Sequence, residues 1–177
     1  MLNNFRPIMD QLLQAEGGLV NDPRDPGGLT DHGITARQWA MYSDLPLSKV
    51  TSQMLGTLTT GQINEFYRTQ YWNVIDGDSL PSGIDCMVFH FEVNAWDIAV
   101  RQLQELIGVT ADGVVGPRTL LALKGYLGNY GIVKSIQFLA DRQTAYYEGL
   151  AGYGTFGEGW LARVSSFENL ALRLASG

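Results

Sequence analysis

Apolar positions near the start of the chain recur with a helical period. Phe5, Ile8, Met9, Leu12 and Leu13 fall at i, i+3, i+4, i+7 and i+8, and the stripe ends at Gly17-Gly18. From Leu19 to Gly33 the periodicity disappears. "NDPRDPGG" holds Asp-Pro twice and then Gly-Gly, the chemistry of tight turns, so a short β-hairpin or ribbon is expected here. Helical patterns return at "TARQWAMY", at "LSKVTSQML" and over "TTGQINEFYRTQYW", where Thr59 or Thr60 is the expected N-cap.

"DGDSLPSG" (76–83) is the one clear break in the middle. Beyond it, "IDCMVFHFEVNAWDIAVRQLQELIG" is long and strongly apolar and predicts a central buried helix. "VTADGVVGPRT" reads as a second turn-rich linker before "LLALKGYL". "GIVKSIQFLADRQTAYYEGLAGYG" and "GEGWLARVSSFENLALRL" predict two more helices separated by glycines. The pattern as a whole predicts a mainly α fold with a small N-terminal β-hairpin or ribbon. There is no internal repeat and no coiled-coil heptad. The expected organisation is a single compact catalytic domain over 1–177, with sub-lobes at 1–80 and 81–177.

Charge narrows the possible partners. Twelve Lys and Arg against 18 Asp and Glu give a net charge of -6, which argues against nucleic acid as the main ligand. Cys86 is the only cysteine, so no intrachain disulfide forms, and a reducing compartment suits the chain. No segment reaches the ~18 to 20 continuous apolar residues that span a membrane. The N-terminal stretch contains Asp10 and no uninterrupted apolar run, so no secretory signal is expected there.

The first candidate chemistry is Glu16. A carboxyl at a helix C-terminus meets the negative end of the helix dipole, and partial burial disfavours its ionised form further. A Glu held protonated in this way can serve as a general acid. Glycosidic hydrolysis needs such an acid on the leaving oxygen, and a second group to steady the cationic transition state or to activate water. The stretch after Glu16 supplies Asp22, Asp25, Asp31, Thr30 and Thr35 on a ribbon rich in glycine. The plainer alternative is a solvated last turn followed by surface connectors.

"AEGGLVNDPRDPGGLTDHGIT" resembles the signature of the glycoside hydrolase 108 family of peptidoglycan muramidases, found in phage endolysins and bacterial secretion-activator proteins. "EFYRTQYW" is similar to that family's Y-x-x-x-Y-W helix, and "FGEGWLARV" to its closing G-W-x-x-R-V. "LPSGIDCMVFHFEVNAWDIAVRQLQ" resembles L-P-x-x-x-D-x-x-V-F-D-F-x-V-N-x-G. Departures gather in that segment: His90 stands for an Asp, Glu92 for a small residue, and Ala95-Trp96 for a Ser-Gly pair. "VRQLQELIGVTADGVVGPRTLLAL" resembles the three-helix peptidoglycan-binding module.

The resemblance implies a lysozyme-like helical fold with Glu16 as the catalytic acid. The reaction implied is cleavage of the β-1,4 bond between N-acetylmuramic acid and N-acetylglucosamine, with glycan strands as partner. Asp25 lies nine residues after Glu16, the spacing seen between acid and water-positioning Asp in phage-type lysozymes. Asp25, or Asp31 with Thr30, is therefore a candidate second group, and a Glu acting alone stays open. Asn94, Tyr71 and the ribbon from Asn21 to Thr35 are the expected glycan contacts. Among the large aromatics, Tyr71 or Trp72 and also Trp96 are expected in the cleft; Trp39, Tyr146, Tyr147 and Trp160 are assigned to packing.

A cytoplasmic monomer reaching the cell wall by holin-assisted release fits the endolysin reading. No cofactor and no metal are expected. His32 and His90 lack metal-ligand spacing with one another or with Asp22, Asp25, Asp31 or Glu92. Cys86 and His90 are i and i+4 within an apolar run, which suits a buried structural cysteine better than a thiol nucleophile. The alternatives are a lytic transglycosylase on the same bond, a zinc amidase or peptidase on the stem peptide, and a non-catalytic wall-binding protein.

Overall fold

The computed structural model describes residues 4–15 and 29–177. The chain packs as two units, one of residues 1–8 and 70–177 and the other of residues 9–69. Glu16, Asn21, Asp22 and Asp25 lie outside the described residues.

Helix α1 spans Phe5–Ala15. Phe5, Ile8, Met9 and Leu12 of the predicted stripe are buried, and Leu13 lies half-buried beside them. The hairpin sits at the far end of the turn-rich stretch. Strand β1 (Thr30–Asp31) pairs antiparallel with β2 (Ile34–Thr35), with Thr30 opposite Thr35 and Asp31 opposite Ile34. Both turn residues have positive φ, His32 at 48° and Gly33 at 79°. That combination gives a two-residue turn whose twist matches the strands it joins. The Tyr67 hydroxyl donates to the His32 carbonyl at 2.9 Å and ties the turn to the helical part of its unit.

Two Thr-x-x-Gln capping boxes start helices in this unit. Thr35 caps α2 (Ala36–Tyr42) and Thr59 caps α4 (Thr60–Tyr67). In each, the Thr hydroxyl accepts from the backbone N–H of the Gln, and the Gln side chain accepts from the Thr backbone, so two otherwise orphaned donors are satisfied. Thr59 is thus the N-cap, not Thr60. "LSKVTSQML" does not form one helix. It divides into a 3-10 turn, Leu47–Lys49, and a single turn α3, Ser52–Leu55, capped by Thr51. Trp39, Tyr42, Phe66 and Tyr67 stack edge-on or tilted at 5.2–6.2 Å in this unit's aromatic cluster.

The second unit is built around α5 (Ile84–Ala95), in which every residue from Ile84 to Glu92 is buried. A helix apolar around its whole circumference needs partners on all sides. Here α8 (Ile132–Glu148) and α9 (Tyr153–Ser176) pack on it and on each other. Buried Asp85 organises its start, accepting from Asn4 Nδ2 at 2.8 Å and from the Gly83 and Cys86 backbone N–H groups at 2.7 Å. Gly83 is required there: φ is 90°, and a Cβ would stand 2.7 Å from the Ala171 carbonyl oxygen.

The predicted single helix through residue 108 is broken. Trp96 and Asp97 adopt positive φ, 22° and 47°, and the chain restarts as α6, Ala99–Leu106. The apolar run hides this break because Val100 and Leu103 resume the buried stripe on the far side. Gly-Pro then opens α7, Pro117–Tyr130, with Pro at a first-turn position where no N–H is needed. Gly131 (φ 77°) separates α7 from α8. Among the described residues, no helix is long and apolar enough to cross a membrane.

Candidate functional site

Within the unit of residues 9–69, the hairpin carries three of the proposed site residues. Asp31 is almost wholly enclosed, at 3% exposure. His32 Nδ1 lies 3.0 Å from Asp31 Oδ2 but off the direction of a hydrogen bond, so the contact is an ion pair only when the ring is protonated. Thr30 is half-buried on the paired strand. The Thr35 hydroxyl accepts from Gln38 N and lies 2.9 Å from Gln38 Oε1, which places it as a helix cap. Its hydrogen-bonding capacity goes to α2, and any glycan contact it makes is secondary to that.

The other candidates belong to the unit of residues 1–8 and 70–177. The helical run from α4 continues as a π-helical turn over Arg68–Trp72, and that wider turn sets the directions of Tyr71 and Trp72. Trp72 is 1% exposed. Its ring meets Phe5 at 5.3 Å and Phe89 at 5.6 Å edge-on, and its indole N–H donates to Asp78 at 3.0 Å. Gly77 lies against the ring, and a Cβ there would stand 2.5 Å from it. With its ring enclosed and its N–H engaged, Trp72 has no surface to offer a sugar. The expectation that it lines a cleft is corrected to a core role.

Tyr71 is buried too, and it meets Trp96 edge-to-face at 5.8 Å. Trp96 itself is 55% exposed, at the end of α5. Asn94 donates to the His90 carbonyl at 2.7 Å and accepts from Arg163 Nη1 at 2.9 Å. Both ends of its amide are therefore fixed, and the exposed side chain is held in one orientation.

In the sequence Glu92 stands out only as a departure from the family pattern. The structure makes it chemically conspicuous. It is 5% exposed, and its Oε2 has no hydrogen-bond partner. Burial pushes its pKa up, the Asp97 backbone N–H pulls it partly back, and the nearby Asp97 carboxylate raises it again. The signal available in the sequence is a carboxylate inside an apolar helix, where an ionisable group is costly unless it is paired or neutral.

His90 lies wholly inside this unit. Gln143 donates through Nε2 to the Met87 carbonyl at 2.7 Å, which turns its Oε1 toward His90 Nδ1 at 2.9 Å. That arrangement assigns the proton of the neutral imidazole to Nδ1. The ring stacks on Phe167 at 4.1 Å, and burial drives its pKa down to about 4. Cys86 is fully enclosed, 3.7 Å from the Phe167 carbonyl, and burial raises its thiol pKa well above the ordinary range. Neither group has the exposure of a ligand or a nucleophile. No cluster of three or more His, Cys, Asp or Glu able to hold a metal ion occurs among the described residues.

The segment that resembles a peptidoglycan-binding module is held by one buried glutamine. Gln104 Nε2 lies within hydrogen-bonding reach of Asp112 Oδ1, the Val114 carbonyl and Thr119 Oγ1, while Oε1 accepts from Gly113 N at 2.8 Å. Asp112 in turn accepts from Val114 N at 2.9 Å. The L-Q, D-G and G-P-x-T elements are thus parts of one loop lock.

This is a mainly helical, lysozyme-like fold with one small antiparallel hairpin among the described residues. The chain belongs to the glycosyl hydrolase 108 family. The model described as Glycosyl hydrolase 108 matches residues 9–95, and the one described as Predicted Peptidoglycan domain matches residues 98–165. Among solved structures, Brucella abortus SagA is similar over 100% of this chain and 98% of that one, at 34% identity and a TM-score of 0.87. No curated protein matches it. The protein is accordingly a glycoside hydrolase acting on peptidoglycan.

Proposed function

We propose that this hydrolase is an N-acetylmuramidase, cutting the β-1,4 bond between N-acetylmuramic acid and N-acetylglucosamine with Glu16 as general acid. The observation that carries the reading is the near-continuous signature from Glu16 to Thr35, which lies inside the family match over residues 9–95. Helix α1 is described as far as Ala15, the residue directly before that carboxylate in the chain. In this scheme Glu16 gives its proton to the leaving glycosidic oxygen as positive charge builds at the sugar ring. Asp25, or Asp31 with Thr30, steadies that charge or orients the attacking water.

Glycan contacts are assigned to Asn21, Asn94 and Trp96, with Tyr71 bracing the Trp96 ring. Asn94 suits the role because Arg163 and the His90 carbonyl fix its orientation before substrate arrives, so little ordering is left for binding to impose. Glu16→Gln tests the assignment. The amide keeps the shape of the side chain but has no acid proton to give, so clearing of purified cell walls is expected to fall by at least about 100-fold. Wall binding should be retained. Clearing at the wild-type rate would overturn the role of Glu16.

A further inference from the structure

The end of α5 holds an unusual pair. Glu92 is only 5% exposed and its Oε2 has no hydrogen-bond partner, while the Asp97 backbone N–H bonds the carboxyl. One helical turn later stands Trp96, the exposed large aromatic at the end of this helix, its ring braced edge-on by Tyr71. Trp96 and Asp97 both have positive φ, a conformation that a bulky side chain such as Trp adopts only when its surroundings impose it. Such strain is retained more often at binding sites than in passive turns. Glu92 and Trp96 are both among the departures of this sequence from the family pattern.

Burial and the Asp97 carboxylate shift this carboxyl toward its protonated form, which can donate a hydrogen bond from the unpartnered Oε2. Four residues on, with its backbone N–H bonded to the Glu92 carbonyl, the exposed Trp96 indole offers a flat apolar surface. The ligand that satisfies both has an apolar C–H face and a neutral carbonyl oxygen close to it. An N-acetylated pyranose carries both, and its acetamido carbonyl is the acceptor.

We infer that Glu92 and Trp96 form a subsite for an N-acetylated sugar of the glycan, with the Trp96 indole against the C–H face and the Glu92 acid donating to the acetamido carbonyl. This rests on the glycan-cleaving reading above and assigns Glu92 to recognition, not to the chemical step. Glu92 lies in the last turn of α5, which also carries exposed Asn94 and leads into the Trp96–Asp97 turn.

Binding of N-acetylglucosamine oligomers and of fully deacetylated glucosamine oligomers to the full chain carrying Glu16→Gln tests this. High salt is needed, because the deacetylated oligomer is cationic and the protein is acidic. The background protein should prefer the acetylated oligomer by about tenfold or more. Adding Glu92→Leu should remove that preference, and Glu92→Gln, whose amide N–H still donates, should keep most of it. Trp96→Ala, at an exposed position, should weaken binding of both oligomers together. An unchanged preference in a folded Glu92→Leu protein overturns the proposal, as does unchanged binding by Trp96→Ala. That second result decides even if Glu92→Leu does not fold. If Glu92 only braces the Asp97 turn, Glu92→Leu lowers the melting temperature and leaves the preference intact. Cell-wall clearing by an otherwise wild-type Glu16→Gln protein would overturn the acid assignment while these binding results stood.

Discussion

At the residue scale, His90 shows how one buried ring reports on the environment of the central helix. It is neutral in the fold, with a pKa near 4 against 6.5 for a free imidazole, because burial penalises the cation and Arg163 repels it, while the Gln143 bond only partly offsets this. A depressed pKa means that the unfolded chain binds the proton more tightly. The folded state therefore keeps its full stability above about pH 6.5 and loses up to about 3 kcal/mol as pH falls from there to about 4. Asp85 and Glu92 act in the opposite sense, since their raised pKa values make protonation favour the folded state. Denaturant melts between pH 7 and pH 4 should show a shallower acid limb in His90→Asn than in wild type, and parallel curves would contradict the assignment. Gly77→Ala gives a second check. The added methyl would meet the Trp72 ring at 2.5 Å, and that ring is boxed in by Phe5 and Phe89. A loss of about 1–3 kcal/mol is expected, or several degrees in melting temperature.

At the element scale, the legible features are those written in local chemistry. The α1 stripe and both Thr-x-x-Gln boxes follow from neighbours three or four residues apart, and so does the hairpin turn with glycine at its second position. The break at Trp96–Asp97 is not legible, because the apolar periodicity resumes after it and only tertiary packing holds Trp at positive φ. Trp72 is misread for a related reason. An aromatic in a helix reads the same whether it meets a ligand or a glycine such as Gly77 five residues on. Among the candidate site residues, the identity of Asn94 can be read from the motif, but its fixing by Arg163, distant in sequence, cannot. Glu92 is visible only as an oddity of composition. The loop lock at Gln104 joins both kinds of information: its motif spacing can be read, but its purpose needs the geometry. Gln104→Leu removes the four contacts that Gln104 makes to Asp112, Gly113, Val114 and Thr119, while the Val114–Asp112 and Thr119–Val114 bonds remain. Amide exchange over 111–116 should accelerate by at least about tenfold. Unchanged protection there would show that the loop holds itself.

At the scale of the whole molecule, the family match over residues 9–95 and the peptidoglycan-domain match over 98–165 point to one substrate polymer. The two packed units do not follow that division, since α1 begins in one and ends in the other. The net charge of -6 gives no general attraction to an anionic envelope, so recognition has to come from local contacts such as those assigned to Asn94 and Trp96. Fixed polar groups and the exposed Trp96 ring suit an uncharged glycan better than a phosphate-rich partner. The central claim is the bond that is cut. Purified peptidoglycan digested to completion, reduced with borohydride and resolved by mass spectrometry tests it most directly. Reduced N-acetylmuramic acid is expected at the new ends, with stem peptides still attached, and none of these products is expected from Glu16→Gln. Reduced N-acetylglucosamine ends, anhydro-sugar ends or freed stem peptides as the main product would contradict it.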